Sequence, residues 1–141
     1  MKSIESHETN SQSETEALGA EIADRLAPGT VVYIRGDLGA GKTALVRGAC
    51  RQLGVTGRIT SPTFTIAHRY DDGIHPISHL DLYRLGSHLD SEVPGLLEEE
   101  LGPERITFVE WPGDLDENSA VAVLNISIEH RGGDKRLVKL W

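Results

Sequence analysis

The sequence predicts an α/β fold in which helices flank a mixed central sheet, and we expect residues 1–141 to form one domain. Three observations predict this class. The short β-branched run Val31–Arg35 is followed by a helical stripe over Leu45–Leu53. The glycine-rich segment GDLGAGKT separates the two. Alternating strand patterns dominate the second half. We therefore expect parallel strands near the glycine-rich segment and antiparallel strands added to them.

A capping box predicts the start of the first helix. In Ser13-Glu14-Thr15-Glu16 the Ser13 hydroxyl can accept from the amide of Glu16, and the Glu16 side chain can reach back. Pro28-Gly29 ends the helical pattern. The preceding residues 1–12 are polar, so we expect them to be flexible apart from a short edge strand near Ile4. The helix should bury a stripe with a spacing of four: Leu18, Ile22 and Leu26.

The second half contains mostly strand patterns. Apolar and polar residues alternate in several runs that are separated by turn-forming residues, such as Asp71-Asp72-Gly73. A short helix is predicted over Val93–Gly102. The predicted strands are Phe64–Tyr70, Ile77–Leu82, Arg105–Trp111, Ala122–Glu129 and the run RLVKLW at the end of the chain.

Composition and charge exclude several classes of function. The formal net charge is −8 (14 − 22). An acidic balance argues against unaided, tight binding to nucleic acid, which requires basic groups. The single cysteine, Cys50, cannot form an internal disulfide and is expected to be a buried core thiol. The chain has no apolar run long enough to span a membrane and no secretory signal at its start, so we expect a cytoplasmic protein.

The segment Gly36–Thr43 has the form G-x-x-x-x-G-K-T between a strand and a helix, which is the P-loop arrangement. Its glycines permit backbone angles that let the loop amides surround a phosphate. Lys42 can place an ammonium against the β- and γ-phosphates, and the Thr43 hydroxyl can bind Mg²⁺. We therefore predict that this segment holds the triphosphate of a nucleotide together with Mg²⁺. The nucleotide contacts expected here are Gly36, Asp37, Leu38, Gly39, Ala40, Gly41, Lys42, Thr43 and Ala44.

Three further segments narrow the class of P-loop protein. They are TSPTFTI (Thr60–Ile66), HLDLYRL (His79–Leu85) and VEWP (Val109–Pro112). Their order and spacing relative to GDLGAGKT resemble the bacterial TsaE family over about Glu14–Pro112. The N-K-x-D motif by which GTPases read guanine is absent from the sequence. The resemblance implies a small ATPase that is required to make threonylcarbamoyladenosine in tRNA.

The resemblance also implies roles for particular residues. Thr63 lies in the segment that corresponds to a switch loop and is expected to sense the γ-phosphate. Glu110 follows the apolar run ITFV and is expected to hold Mg²⁺ with Thr43. Asp81 is expected either to orient water or to couple the switch loop SPTF to the site. The run ISHL before Asp81 is less apolar, which favours a more central strand for Glu110. Lys42, Asp81 and Glu110 are the predicted catalytic residues. His79 is either a catalytic residue or a plain strand-face residue.

The sequence indicates less clearly which residues contact the base of the nucleotide. The resemblance places the base near residues 12–15 and a late hairpin, so that Arg131 and Gly132 are the expected contacts there. The segment HRGGDKR that contains them can equally be a plain solvated turn.

The implied partners are TsaB- and TsaD-like proteins, with tRNA reached only through that complex. Two other functions fit the same motifs. The chain could be a scaffold that binds a nucleotide without hydrolysing it, or a P-loop kinase for a small molecule. These alternatives differ in the fate of the γ-phosphate. In the scaffold it stays on the nucleotide, and in the kinase it moves to an acceptor hydroxyl rather than to water.

Overall fold

The computed structural model describes residues 4–37, 39–60, 67–82, 102–111 and 122–141. Within these ranges the chain forms seven strands and two helices. None of the described helices is long and apolar enough to cross a membrane. In chain order the elements are β1 (Glu5–Thr9), α1 (Gln12–Ala23), β2 (Thr30–Arg35), α2 (Lys42–Gln52), β3 (Ala67–Tyr70), β4 (Ile77–Asp81), β5 (Ile106–Glu110), β6 (Ala122–His130) and β7 (Arg136–Leu140).

The strands form one mixed sheet in the order β1-β7-β6-β2-β5-β4-β3. Strand β2, which leads into the glycine loop, pairs in parallel with both β5 and β6, and β4 pairs in parallel with β5. The remaining pairs, β1 with β7, β6 with β7 and β3 with β4, are antiparallel. The predicted combination of a parallel centre and antiparallel additions is therefore confirmed.

The centre of the sheet is buried on both faces. On one face, apolar side chains of α1 and α2 share a core cluster with Val32, Ile34 and Phe108. Residues that alternate with these, such as Tyr33 and Val109, are fully buried as well. Burial of both faces explains why these strands read as continuous apolar runs. Every residue of β4 is as buried as those of β5 despite the more polar sequence of β4. Strand β5 is nevertheless the more central of the two, as expected for the strand that ends at Glu110.

Two glycines let the helices approach each other closely. A Cβ atom added at Gly48 of α2 would lie 1.9 Å from the carbonyl oxygen of Glu16 in α1. One added at Gly19 of α1 would lie 2.1 Å from the carbonyl oxygen of Leu45 in α2. Real side chains cannot occupy such positions, so each helix presents bare backbone to the other. The first turn of α1 lies beside the start of α2, where Thr15 comes close to Gly41.

The start of α1 differs from the prediction by two residues. The N-cap is Ser11, whose hydroxyl accepts from the amide of Glu14 at 3.1 Å, while Glu14 accepts from the amide of Asn10 at 3.2 Å. The predicted capping box of Ser13 and Glu16 is therefore wrong. The expected short edge strand near Ile4 is confirmed as β1 (Glu5–Thr9), which lies at the edge of the sheet and pairs with β7.

Several sequence predictions fall on residues outside the described ranges. These are Leu38 and Thr63 among the predicted nucleotide contacts, Tyr83, Arg84 and Pro112 in the family motifs, and all but the last residue of the predicted helix Val93–Gly102.

Candidate functional site

The sheet brings two acidic side chains to the edge where the glycine loop begins. Glu110 is the last residue of β5 and pairs in register with Ile34 of β2 on one side. On its other side it pairs with Asp81, the last residue of β4. Ligands in folds with parallel strands bind at these carboxyl ends. The structure thus brings Asp81 and Glu110 together beside the loop, and Glu110 lies on the strand next to β2.

The glycine loop has the backbone conformation that its sequence predicts. Gly39 and Gly41 have φ values of 77° and 104°, in the left-handed region that favours glycine. Gly36 has no such angle, but a Cβ atom there would lie 2.6 Å from the carbonyl oxygen of Ile128. Gly41 caps α2, which begins at Lys42 as predicted. The loop therefore ends at a helix N-terminus, where backbone amides and the helix dipole favour an anion.

Lys42 is buried in the middle of this site. Its Nζ donates to the carbonyl oxygens of Gly36 at 2.6 Å and Asp37 at 2.8 Å. The ammonium also lies 4.4 Å from the centre of the Trp111 ring, as a cation–π contact. Burial lowers the pKa of Lys42, and the nearby carboxylates of Glu110 and Asp81 oppose that effect. A buried ammonium held by neutral carbonyls is well suited to receive an anionic ligand.

Trp111 has an unusual backbone that is fixed by the sheet. Its φ of 55° lies in the left-handed region, which is costly for a bulky residue. Its amide donates to the carbonyl of Ile34 at 3.2 Å, which continues the pairing of β5 with β2 past Glu110. This turn of the backbone places the indole ring over Lys42, and the sequence alone did not indicate it.

An open cleft of about 360 Å³ lies between the loop and the acidic strand ends. Its volume falls within the range of small-molecule sites. A smaller cavity of about 160 Å³ adjoins it and extends towards the β6–β7 hairpin. The cleft is lined by Gln12, Gly39, Gly41, Lys42, Thr43, Ala44, Arg47, Asp81, Glu110 and Trp111. The smaller cavity is lined by Gln12, Thr15, Gly39, Gly41, Ala44, Asp134 and Arg136.

Two arginines at the site were missed in the sequence. Arg136, the first residue of β7, donates from Nε to the carbonyl of Ala40 at 2.8 Å, so it contacts the glycine loop from the hairpin. Arg47 on α2 lines the cleft and forms an ion pair of 3.0 Å with Glu16 of α1. The signal that could have indicated Arg136 lies in the sheet topology and not in the local sequence. Because β6 runs parallel to β2, the hairpin after β6 must lie at the same end of the sheet as the glycine loop.

Arg131 and Gly132 lie in the hairpin but line neither cavity. Arg131 is half-exposed and forms an ion pair of 3.1 Å with Glu129. The amide of Gly132 donates to Nδ1 of His130 at 3.2 Å. The role of Arg131 and Gly132 in base binding therefore stays a prediction, while Gln12 and Thr15 of α1 do line the smaller cavity.

The described side chains do not form a self-contained metal centre. Within these ranges no group of three or more histidine, cysteine, aspartate or glutamate side chains is placed to hold an ion. Oxygen ligands are present in the cleft at Thr43, Asp81 and Glu110. Mg²⁺ is commonly bound by one or two protein oxygens together with phosphate and water. The residues of the cleft fit that mode of binding.

Comparison with known proteins identifies the family. The family model described as "Threonylcarbamoyl adenosine biosynthesis protein TsaE" matches residues 9–138. A tRNA threonylcarbamoyladenosine biosynthesis protein TsaE of Bacillus subtilis is 38% identical over 136 residues, 96% of this chain and 84% of that protein. A protein of the same name from Synechocystis is 48% identical over 103 residues, 70% of this chain and 64% of its own length.

A solved structure agrees with the sequence matches. The crystal structure of Bacillus subtilis YdiB superposes with a TM-score of 0.79 at 33% sequence identity, over 99% of this chain and 86% of that one. The shared P-loop-type fold and the family match over most of the chain lead to one conclusion: the chain belongs to the TsaE family.

Proposed function

We propose that the chain is a weak, Mg²⁺-dependent ATPase that drives a TsaB- and TsaD-like assembly making threonylcarbamoyladenosine in tRNA. The observation that carries the proposal is the placement of Lys42. Its buried ammonium lies between a glycine loop that ends at a helix N-terminus and the strand ends that carry Asp81 and Glu110. The names of the relatives supply the pathway, since each is described as a tRNA threonylcarbamoyladenosine biosynthesis protein.

In this proposal the loop binds the triphosphate. The β- and γ-phosphates take the place of the carbonyls of Gly36 and Asp37 as partners of the Lys42 ammonium. Amides at the start of α2 supply further donors to the phosphate oxygens. The base and ribose extend along Gln12 and Thr15 into the smaller cavity, which adjoins the loop at Gly41.

Thr43 and Glu110 are the residues that would hold Mg²⁺, through the Thr43 hydroxyl and the Glu110 carboxylate. The ion supplies charge neutralisation on the phosphates during transfer of the γ-phosphoryl group. Asp81 lies beside Glu110 at the edge of the cleft and is the candidate to orient the attacking water.

Slow turnover by the isolated chain follows from the arginines of the site. Among the described residues, the two arginines that line the cavities are already engaged, Arg47 with Glu16 and Arg136 with backbone carbonyls. An arginine supplied by a partner can raise turnover by about 10³–10⁵-fold. The net charge of −8 suits a protein partner better than bare tRNA.

The test measures release of inorganic phosphate from ATP by the chain alone, and then with TsaB- and TsaD-like proteins and tRNA. We expect slow release that increases in the assembly, together with formation of the modified nucleoside. An assembly that makes the nucleoside without consuming ATP would instead identify a nucleotide-dependent scaffold. Transfer of label from γ-labelled ATP to a small acceptor would identify a kinase.

A further inference from the structure

A line of buried polar side chains runs away from the acidic edge of the cleft. His79 of β4 and Glu110 of β5 are both almost completely buried, and His79 Nε2 lies 2.5 Å from Glu110 Oε2. On the other side of the ring, His79 Nδ1 lies 3.4 Å from the hydroxyl of Tyr70 on β3. That hydroxyl has one proton, which it can donate either to Nδ1 of His79 or to the carbonyl of Thr60, 3.3 Å away. Three neighbouring strands thus contribute to one polar line that ends at Glu110.

The direction of the main hydrogen bond is fixed by chemistry. An ionised carboxylate can only accept, so the Nε2–H of His79 donates to Glu110. A hydrogen bond to a charged acceptor is stronger than one between neutral groups. It restrains the Glu110 carboxylate both in rotation and in distance from β4. Phe108, the register partner of His79, packs in the same core, so the ring itself has little freedom to move.

We propose that His79 is a positioning residue that fixes the Glu110 carboxylate for Mg²⁺, and that Tyr70 fixes His79 in turn. One carboxylate oxygen is committed to His79, and the other is left to bind the ion or one of its waters. Hydrogen bonds behind a ligating carboxylate set its orientation in many metal sites. This inference rests on the proposed metal role of Glu110, and it gives a reason for a histidine inside a strand that is otherwise core.

Two substitutions of His79 distinguish the roles of its two ring nitrogens. The side-chain amide of His79→Gln reaches the position of Nε2 and can still donate to Glu110. The shorter amide of His79→Asn reaches only the position of Nδ1, so it can contact Tyr70 but leaves Glu110 without its donor. Tyr70→Phe removes the hydroxyl alone and leaves the ring that packs beside His79.

The measurement is ATP affinity over a series of Mg²⁺ concentrations and in EDTA, with the free energy of unfolding measured for each variant. Mg²⁺ is expected to increase ATP affinity, and the quantity compared is the Mg²⁺ concentration that gives half of this increase. We expect His79→Asn to raise that concentration by about 10- to 100-fold and to leave ATP affinity in EDTA unchanged. His79→Gln should stay close to the parent protein, and Tyr70→Phe should fall between them. Loss of stability without a shift in Mg²⁺ dependence would show that His79 acts only as a core residue, and this result would overturn the inference.

A second measurement follows His79 in the parent protein itself. In protein labelled with ¹⁵N-histidine, the Nε2–H resonance of buried His79 is assigned by its loss in His79→Gln. We expect this resonance to shift when Mg²⁺ is added to the ATP-bound protein. No shift on Mg²⁺ binding would overturn the positioning role alone. A parent protein whose ATP affinity is independent of Mg²⁺ would instead remove the proposed metal site, and this inference with it.

Discussion

The guanidinium of Arg136 donates from Nε to the carbonyl of Ala40 at 2.8 Å and thereby joins the β6–β7 hairpin to the glycine loop. Its Nη1 donates within the hairpin to the carbonyls of Gly133 and Lys135, at 2.8 and 2.9 Å. The Arg136 side chain therefore connects the Ala40 carbonyl of the loop to the hairpin and holds it away from the cleft. Holding that carbonyl outside the loop favours the arrangement in which neighbouring amides face a phosphate.

We expect Arg136→Gln to weaken ATP binding by about 1 kcal/mol, roughly fivefold in Kd, because the loop then has to become ordered on binding. Isothermal titration at fixed Mg²⁺ and salt measures this change. Lys135→Gln is the matched control, since it removes one positive charge from an exposed position of the same hairpin. Equal losses in the two variants would show that only the charge of the hairpin matters.

The second prediction concerns the contact between the helices. Gly48→Ala places a methyl group against the carbonyl of Glu16, so α1 and α2 have to separate. Overpacking of this kind costs about 1–3 kcal/mol of unfolding free energy. Urea unfolding measures the loss. Gly57→Ala is the control, because its new Cβ would meet only the Asp72 carboxylate at 3.8 Å. Equal stability of the two variants would contradict the close approach of the helices.

The third prediction concerns Cys50. Burial raises the pKa of its thiol to about 12, well above the ordinary value of a cysteine. Because the thiolate is the reactive form, we expect alkylating reagents to leave the native protein unmodified up to about pH 9. Cys50 is the single cysteine of the chain, so mass spectrometry gives an unambiguous result. Fast labelling without denaturant would show that this part of α2 opens readily.

The fourth prediction separates the two acidic strand ends. Glu110→Ala should weaken Mg²⁺-dependent ATP binding, and added Mg²⁺ should partly restore it. Asp81→Ala should leave binding nearly intact but reduce hydrolysis and the response to partners. The physical reason is position: β5 adjoins the strand that carries the loop, whereas β4 is one strand farther away. A Mg²⁺ titration of ATP binding that shows the defect in Asp81→Ala instead would exchange the two roles.

Much of the fold could be predicted from local patterns. The glycine loop, the helix after it and the acidic residues near two strand ends follow from glycine placement and apolar runs. Strands β4 and β5 end at Asp81 and Glu110, one residue before the predicted Leu82 and Trp111. The start of α1 could not, because Ser11 and Ser13 each have a glutamate three residues later. A tertiary contact accompanies the earlier start. The hydroxyls of Thr9 and Thr15 lie 2.8 Å apart in the core and tie β1 to the first turn of the helix.

The missed parts of the site depend on register between distant strands. The alternation of β4 places His79 on a strand face, but its bond to Glu110 requires the pairing of β4 with β5. Arg136 sits in a charged, glycine-containing turn that looks like any solvated hairpin. Its contact with Ala40 requires the parallel pairing of β6 with β2. Such pairings are not encoded in any single segment, so residue patterns alone could not reveal these partners.

The most direct test is ATP binding by Lys42→Ala, measured by titration in the presence of Mg²⁺ beside the parent protein and a Lys135→Ala control. Removal of the buried ammonium eliminates charge-assisted contacts worth about 1.5–3 kcal/mol, roughly 10- to 150-fold in Kd. We expect that loss for Lys42→Ala, with the fold retained by circular dichroism and Lys135→Ala unchanged. An unchanged ATP affinity in folded Lys42→Ala would contradict the assignment of Gly36–Thr43 as the phosphate site.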